Sequence, residues 1–521
     1  MDRIFATPSL TGSAPRSIRW LPDSKGLTFV VTRGDEDSES TNLMVAELPS
    51  GKERTLCVID TVAVPGDLAQ GKDDHFHLGS YEWAETGDLM QFVFRGDVFT
   101  FNRRTGAVVR LTDTDADEDN VTFSPDGKRI AFSRENDLYV INLDTSQETR
   151  LTNTGSDTLQ NGVLDWVYME ELFTRGDVRA FWWSPDSRAI AYMQFDTSPV
   201  PEFPIVDFLP LNNTVDMQRY PKAGDPNSVV RVGVVGAGGG ATTWMKVDTE
   251  DDSYIARVYW FGGGKHIAVE KLNRSQNELR FIIANAETGD IEEPFAETSD
   301  TWIDVTYMQY YYKDKDRFVW TSARDGYTHL YLYKNDGTLI RRLTSGDWTV
   351  SNLNGVDEER GIIYYTSLEA SILERQLYRV SETGEKITKI SREPGTHNAT
   401  FSPDSRYYYD WFSSVTVPRR ITVHKASGER LFTLDECDTS ELDSYELPAP
   451  EFFTFTSDEG IEFYASMIKP PDFDPARKYP VLVYTYGYPH GQIVRNIGFR
   501  TLGLWHEMMA TRGYIIFQMD N

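Results

Sequence analysis

Apolar and polar residues alternate in short runs along most of this chain, and the runs recur in a fixed order. The clearest unit reads Val121-Thr-Phe-Ser-Pro-Asp-Gly-Lys-Arg-Ile-Ala-Phe132, then Asp137-Leu-Tyr-Val-Ile-Asn-Leu143, then Arg150-Leu-Thr152. A period of two places alternate side chains on one face, so the unit predicts three half-buried strands and a short fourth. Pro125-Asp126-Gly127 supplies the first turn, because Pro presets φ and Gly accepts a positive one. Variants of the unit begin at Ile18, Tyr81, Trp182, Val258, Tyr310, Gly355 and Thr400, several with Pro-Asp-Ser in the turn or Arg-Leu-Thr at the close. Thr112 and Thr152, which close consecutive units, stand 40 residues apart, the length of a four-stranded propeller blade. The pattern therefore predicts a mainly β fold, an eight-bladed β-propeller over 16–445.

Two stretches break the period. Residues 160–175 carry Leu164, Val167 and Tyr168 at helical spacing, and residues 196–228 are rich in Pro and Asn without a strand pattern. Insertions into a repeat tend to gather on one face, often the binding face. Beyond residue 445 the repeat stops at a linker, Pro448-Ala-Pro450. An apolar strand at Tyr479–Tyr484, a helix at 502–512 and a second apolar strand at 514–519 predict the start of an α/β sheet over 446–521. The sheet would lack its later strands at Asn521, so the expectation is a truncated α/β domain.

Charge narrows the function. With 80 acidic against 52 basic residues the chain carries −28, which repels phosphate backbones and argues against nucleic acid. An acidic surface favours a cationic ligand, such as a peptide with a free amino terminus. No apolar run approaches the roughly 20 residues that span a bilayer, and the first 17 residues lack an apolar signal core. Two cysteines, Cys57 and Cys437, make no disulfide framework; they fit a reducing compartment and leave a periplasmic one open. His75 and His77 have no third ligand at metal spacing, so no metal is expected. Gly233–Gly240 is followed by a strand where a dinucleotide loop needs a helix, and no cofactor is expected. Asp113–Asp119 has Glu118 and Ser124 where a calcium loop needs Gly and Glu, and reads as a solvated turn.

Three elements carry a family resemblance: Asp165-Trp-Val-Tyr-Met-Glu-Glu171 with Trp182-Trp-Ser-Pro185, Tyr220-Pro-Lys-Ala-Gly224 before the Val229–Val235 strand, and Tyr479-Pro-Val-Leu-Val-Tyr-Thr-Tyr-Gly-Tyr-Pro489. In order and spacing the chain resembles the dipeptidyl peptidase IV branch of the prolyl oligopeptidase family, and its opening, Arg3 to Leu10, looks like the bacterial members. The resemblance implies an eight-bladed propeller capping an α/β-hydrolase domain, with segment 1–15 packed on the hydrolase part. It implies a serine exopeptidase that releases Xaa-Pro or Xaa-Ala dipeptides from peptide amino termini, and it admits a homodimer. It gives Glu170 and Glu171 the substrate's ammonium and Tyr486 the oxyanion, and makes Arg95 a candidate contact to the first peptide carbonyl.

The chemistry suits these roles. Two carboxylates on one ammonium form charge-assisted hydrogen bonds, and a hydroxyl aimed at developing negative charge lowers a barrier. Adjacent residues on an α-helix point about 100° apart, so the pair converges only at the end or edge of a short helix. No serine has Gly at both −2 and +2. The nucleophile, Asp and His implied by the family would lie past Asn521, and this chain alone is expected to be inactive. A related oligopeptidase or tripeptidyl peptidase, and a non-catalytic propeller that binds proteins, remain alternatives.

Overall fold

The computed structural model describes residues 2–6, 9–33, 40–59, 78–249, 252–487, 491–498 and 501–520; His75 and His77 lie outside them. The chain is mainly β. Eight antiparallel sheets follow one another over residues 16–58, 81–110, 119–150, 159–244, 254–298, 310–342, 350–389 and 396–436. All have four strands except the fourth, where Phe181–Trp183 and Leu159–Asn161 both pair with Ala189–Asp196.

The repeated sequence marks have structural causes. The closing threonine of each Arg-Leu-Thr clasps the last strand to the third. Thr152 Oγ1 accepts the Leu138 N–H at 2.9 Å and donates to Asp137 at 2.6 Å. Thr112 does the same for Val98 (2.8 Å) and Glu118 (2.5 Å), and Ser391 for Leu377 (2.9 Å) and Gln376 (2.6 Å). Each clasp satisfies a buried backbone donor that would otherwise be costly. Glu118 corrects the solvated-turn expectation for 113–119: its neighbours Asp117 and Asp119 are exposed, but Glu118 is fully buried against Thr112 and Arg134.

In the Pro-Asp-Gly/Ser turns the third residue takes a positive φ whichever residue it is: Gly127 (68°), Ser24 (56°), Ser187 (62°) and Ser405 (53°). The serines hold this left-handed conformation while their buried hydroxyls reach a neighbouring sheet. Ser187 Oγ accepts the Asp126 N–H at 2.9 Å, Ser24 Oγ accepts the Asp404 N–H at 3.2 Å, and Ser405 Oγ donates to the Val356 carbonyl at 3.1 Å. The Ser24 bond joins the first sheet to the eighth. Trp20 Nε1 reinforces it by donating to the Thr400 carbonyl at 3.0 Å. Ile18, Leu27 and Phe29 share one buried cluster with Ile421, Val423 and Leu434 of the eighth sheet.

Residues 196–228, expected to lack strands, contain a hairpin of Glu202–Asp207 and Thr214–Arg219. Most of its side chains are exposed on both faces, so the alternation that reveals a half-buried strand has no reason to appear. Gly233 pairs with Trp244 across a hairpin, as the strand after the glycine run predicted.

A ninth sheet is mixed, in the order Glu451–Thr456, Glu462–Ile468, Ile515–Met519, Val481–Tyr484. Its last two strands are parallel and are joined through the helix Thr501–Thr511, the crossover that parallel strands require. Ile468, Ala510 and Ile516 form its buried centre, while Leu504 of the same helix clusters with Leu10 and Leu442. No helix among the described residues is long and apolar enough to cross a membrane.

Candidate functional site

The first departure from the repeat builds the site. Asp165 is buried and caps a short helical turn, accepting the Tyr168 N–H at 2.9 Å and the Ser228 hydroxyl at 2.5 Å. Burial raises its pKa, and the two hydrogen bonds oppose that rise. The chain then winds into a π turn, Tyr168–Leu172, in which the Phe173 N–H reaches the Tyr168 carbonyl at 2.8 Å. Such single π turns recur at functional sites, and the wider winding brings consecutive side chains closer in direction than an α-helix does. Glu170 and Glu171 are consecutive on this turn.

Three contacts from other elements fix the turn. The Tyr168 ring is fully buried, and its hydroxyl accepts the Ile255 N–H at 3.0 Å. Arg257, also buried, donates from Nη1 to the Leu172 carbonyl at 2.5 Å and from Nε to the Thr306 carbonyl at 3.2 Å. Its guanidinium lies over the Tyr307 ring at 3.8 Å. Trp166 packs on Tyr220 at 4.4 Å between centroids, so the first two family elements touch.

The two glutamates differ in setting. The Glu170 side chain keeps 15% exposure and is held by Arg175, whose Nε donates to Oε2 at 2.7 Å and whose Nη2 pairs with Oε1. Glu171 is exposed. Arg175 lies in the loop just after the turn and is 78% exposed. Its pKa is raised, first by the hydrogen bond to Glu170 and that carboxylate's charge, then by the charges of Glu171 and Tyr486. Tyr486 follows the strand Val481–Tyr484 of the mixed sheet and is 53% exposed. The structure places Glu170 and Glu171 side by side on the π turn, with Glu170 holding the Arg175 guanidinium, and puts Tyr486 after the strand Val481–Tyr484 of the mixed sheet. Arg95 sits at the turn between Leu89–Phe94 and Asp97–Asn102, its guanidinium 5.5 Å from the Phe94 ring centroid.

Comparison with known proteins follows the same residues. The profile of the dipeptidyl peptidase IV (DPP IV) N-terminal region matches residues 83–419. The chain belongs to this family. Its DPP IV-like fold extends further: the crystal structure of Porphyromonas gingivalis dipeptidyl peptidase 4 superposes with a TM-score of 0.84 at 28% identity, over 97% of this chain and 71% of that one. The probable dipeptidyl-aminopeptidase B of Emericella nidulans is 30% identical over 97% of this chain and 60% of its own length. Dipeptidyl peptidase 4 of Trichophyton rubrum is 29% identical over 91% and 63%. The chain therefore spans less than two thirds of the length of these curated relatives.

Within this DPP IV-family region, sequence reasoning missed Arg175 and Arg257. A signal for Arg257 existed: a single cation inside the apolar strand Tyr254–Phe261 has to be buried or bulged, and the register shifts between Ile255 and Arg257. Arg175, in a loop of mixed polarity, had none.

Proposed function

We infer that the chain is the substrate-anchoring part of a serine exopeptidase that removes Xaa-Pro or Xaa-Ala dipeptides from peptide amino termini. The observation that carries this reading is the pair Glu170 and Glu171 on a braced π turn, where Glu170 holds a guanidinium on both of its oxygens. In this reading both carboxylates receive the substrate's α-ammonium, Tyr486 donates to the oxyanion, and the distance between them sets the dipeptide length. Asp165, Tyr168 and Arg257 hold the pair in place. The eight sheets over 16–445 form an eight-bladed propeller; the contacts between the first and eighth sheets support its closure. Residues 446–521 begin an α/β-hydrolase domain on which segment 1–15 packs. The protruding hairpin, with Phe208, Leu209 and Leu211 exposed at its tip, supports a homodimer.

The test is hydrolysis of a Gly-Pro chromogenic amide by the full-length gene product, beside this 521-residue chain. Cleavage by the full-length product is the expected outcome. A hydrogen bond to a charged group contributes about 1.5–3 kcal/mol, so Glu170→Gln and Glu171→Gln each lower kcat/KM by about ten- to a hundredfold. Cleavage of amino-acetylated peptides, unaffected by either substitution, establishes an endopeptidase instead; tripeptide products establish a tripeptidyl enzyme. Absence of cleavage by the full-length product leaves the protein-binding scaffold.

A further inference from the structure

Arg175 occupies the place that the functional reading gives to the substrate. Its guanidinium engages both oxygens of Glu170. That carboxylate cannot leave: its side chain is 15% exposed, and the π turn that carries it is fixed by Tyr168 and Arg257. Arg175 can leave. It is 78% exposed, sits past the turn's last residue, and is followed by Gly176 at φ +86°, around which a Cβ would meet nothing within 4 Å. The fixed partner is the acid and the mobile partner is the base, the arrangement of a site closed by its own counter-ion.

We propose that Arg175 is a displaceable guard of the ammonium site, so that an incoming amino terminus binds by exchanging with this guanidinium on Glu170. The proposal rests on the assignment of Glu170 and Glu171 as the ammonium anchor. Exchange costs little, because the arginine end of the pair stands in solvent, where water screens and replaces its contact. It costs enough to select: a ligand that brings one hydrogen bond or no charge does not compensate Glu170 for the lost bidentate cation, whereas an ammonium shared by both carboxylates does. The guard also keeps Glu170 neutralised when no peptide is bound, which removes the penalty of leaving a largely buried carboxylate unpaired. Arg175 does not act on the reacting atoms; it is a specificity-determining residue that acts through Glu170.

The experiment is steady-state kinetics of the full-length gene product on a Gly-Pro chromogenic amide, with Arg175→Gln, Arg175→Ala and Arg175→Lys beside Glu170→Gln. Removing the competitor lowers KM by about two- to fivefold in both neutral variants, the factor equivalent to an exposed ion pair, with kcat unchanged. Arg175→Lys returns KM toward the native value, because it restores a cation, though not the fork. KM that stays constant or rises in the neutral variants overturns the guard. Glu170→Gln separates the two levels of the argument. If Glu170→Gln leaves KM unchanged, the anchor reading itself fails; if it raises KM while Arg175→Gln does not lower it, only the guard fails.

Discussion

Arg257 of the fifth sheet donates to the carbonyl of Leu172, the last residue of the π turn, at 2.5 Å. A side chain from the regular repeat thus terminates the irregular turn that carries Glu170 and Glu171. The same guanidinium serves the carbonyls of Ala256 and Thr306. Arg257→Met fills similar space but orphans these acceptors, at about 1–3 kcal/mol for each that stays buried. Urea unfolding should show a loss on the order of 3 kcal/mol. Because the substitution frees the turn without touching substrate, KM for the dipeptidyl amide should rise more than kcat falls. Native stability in Arg257→Met would mean the turn stands without this brace.

How much of this was legible in the sequence depends on the kind of force involved. The eight β units were readable because their turn and closing marks recur, and these Pro-Asp-Gly/Ser and Arg-Leu-Thr marks proved to be turns and clasps with defined hydrogen bonds; the half-buried expectation fails for inner strands such as Asp137–Asn142, which are buried on both faces. The hairpin at 202–219 was missed because neither face is buried, so nothing constrains its pattern. Glu170 and Glu171 were singled out through the flanking motif, not through their charge. The π turn that carries them is set by tertiary contacts from Ile255 and Arg257 that lie some 85 residues away. Arg175 is paired across five residues in a loop, and loops carry no periodicity from which such a pair could be read.

Glu270 should govern part of the pH dependence of stability. It is 1% exposed, and neither carboxyl oxygen has a hydrogen-bond partner. Burial pushes its pKa up to about 8 against an ordinary 4.5, with Arg257 opposing the rise and Glu297 adding to it. Between these values the unfolded chain has released the proton and the folded chain has kept it. The unfolded state then binds fewer protons, so this group makes stability fall as pH rises from about 4.5 to about 8. Glu270→Gln, which cannot ionise, removes that slope. Measured by urea midpoints at pH 5, 6.5 and 8, the variant should gain on the native protein by an amount on the order of a few kcal/mol at the highest pH. Parallel curves would show that Glu270 does not titrate in this window.

His397 gives a slope of the same sign from a different cause. Its Nδ1 lies 2.6 Å from Asp410 Oδ2 and its Nε2 lies 3.0 Å from the Glu393 carbonyl, two acceptors that suit an imidazolium. Burial pulls its pKa down, but the hydrogen bond and charge of Asp410, with the Glu393 carbonyl, outweigh it and leave the value raised above 6.5. The stabilisation is therefore complete below about pH 6.5 and is lost as pH rises through the folded value. Asp410→Asn removes the charge that holds the proton. It should destabilise the protein by about 1–3 kcal/mol at pH 5.5 and by less at pH 8.5, in thermal unfolding at matched ionic strength. A loss that is equal at both values would mean His397 is neutral throughout.

Ser187 separates backbone strain from the bond that offsets it. At φ 62° a residue with a Cβ carries roughly 1–2 kcal/mol of left-handed strain, while its hydroxyl holds the Asp126 N–H of the preceding sheet at 2.9 Å. Ser187→Ala keeps the strain and loses the bond, leaving a part-buried donor without this partner, so it should cost about 1 kcal/mol. Ser187→Gly loses the same bond but relieves the strain, so it should stay within about 1 kcal/mol of the native protein. The order native, Gly, Ala in thermal unfolding distinguishes this account from one in which the serine is only a turn former. In that case Gly would exceed the native protein, as the Gly127 turn of the neighbouring unit would suggest. If Ala equals native, the inter-sheet bond contributes nothing, and the serine at this turn has some other cause.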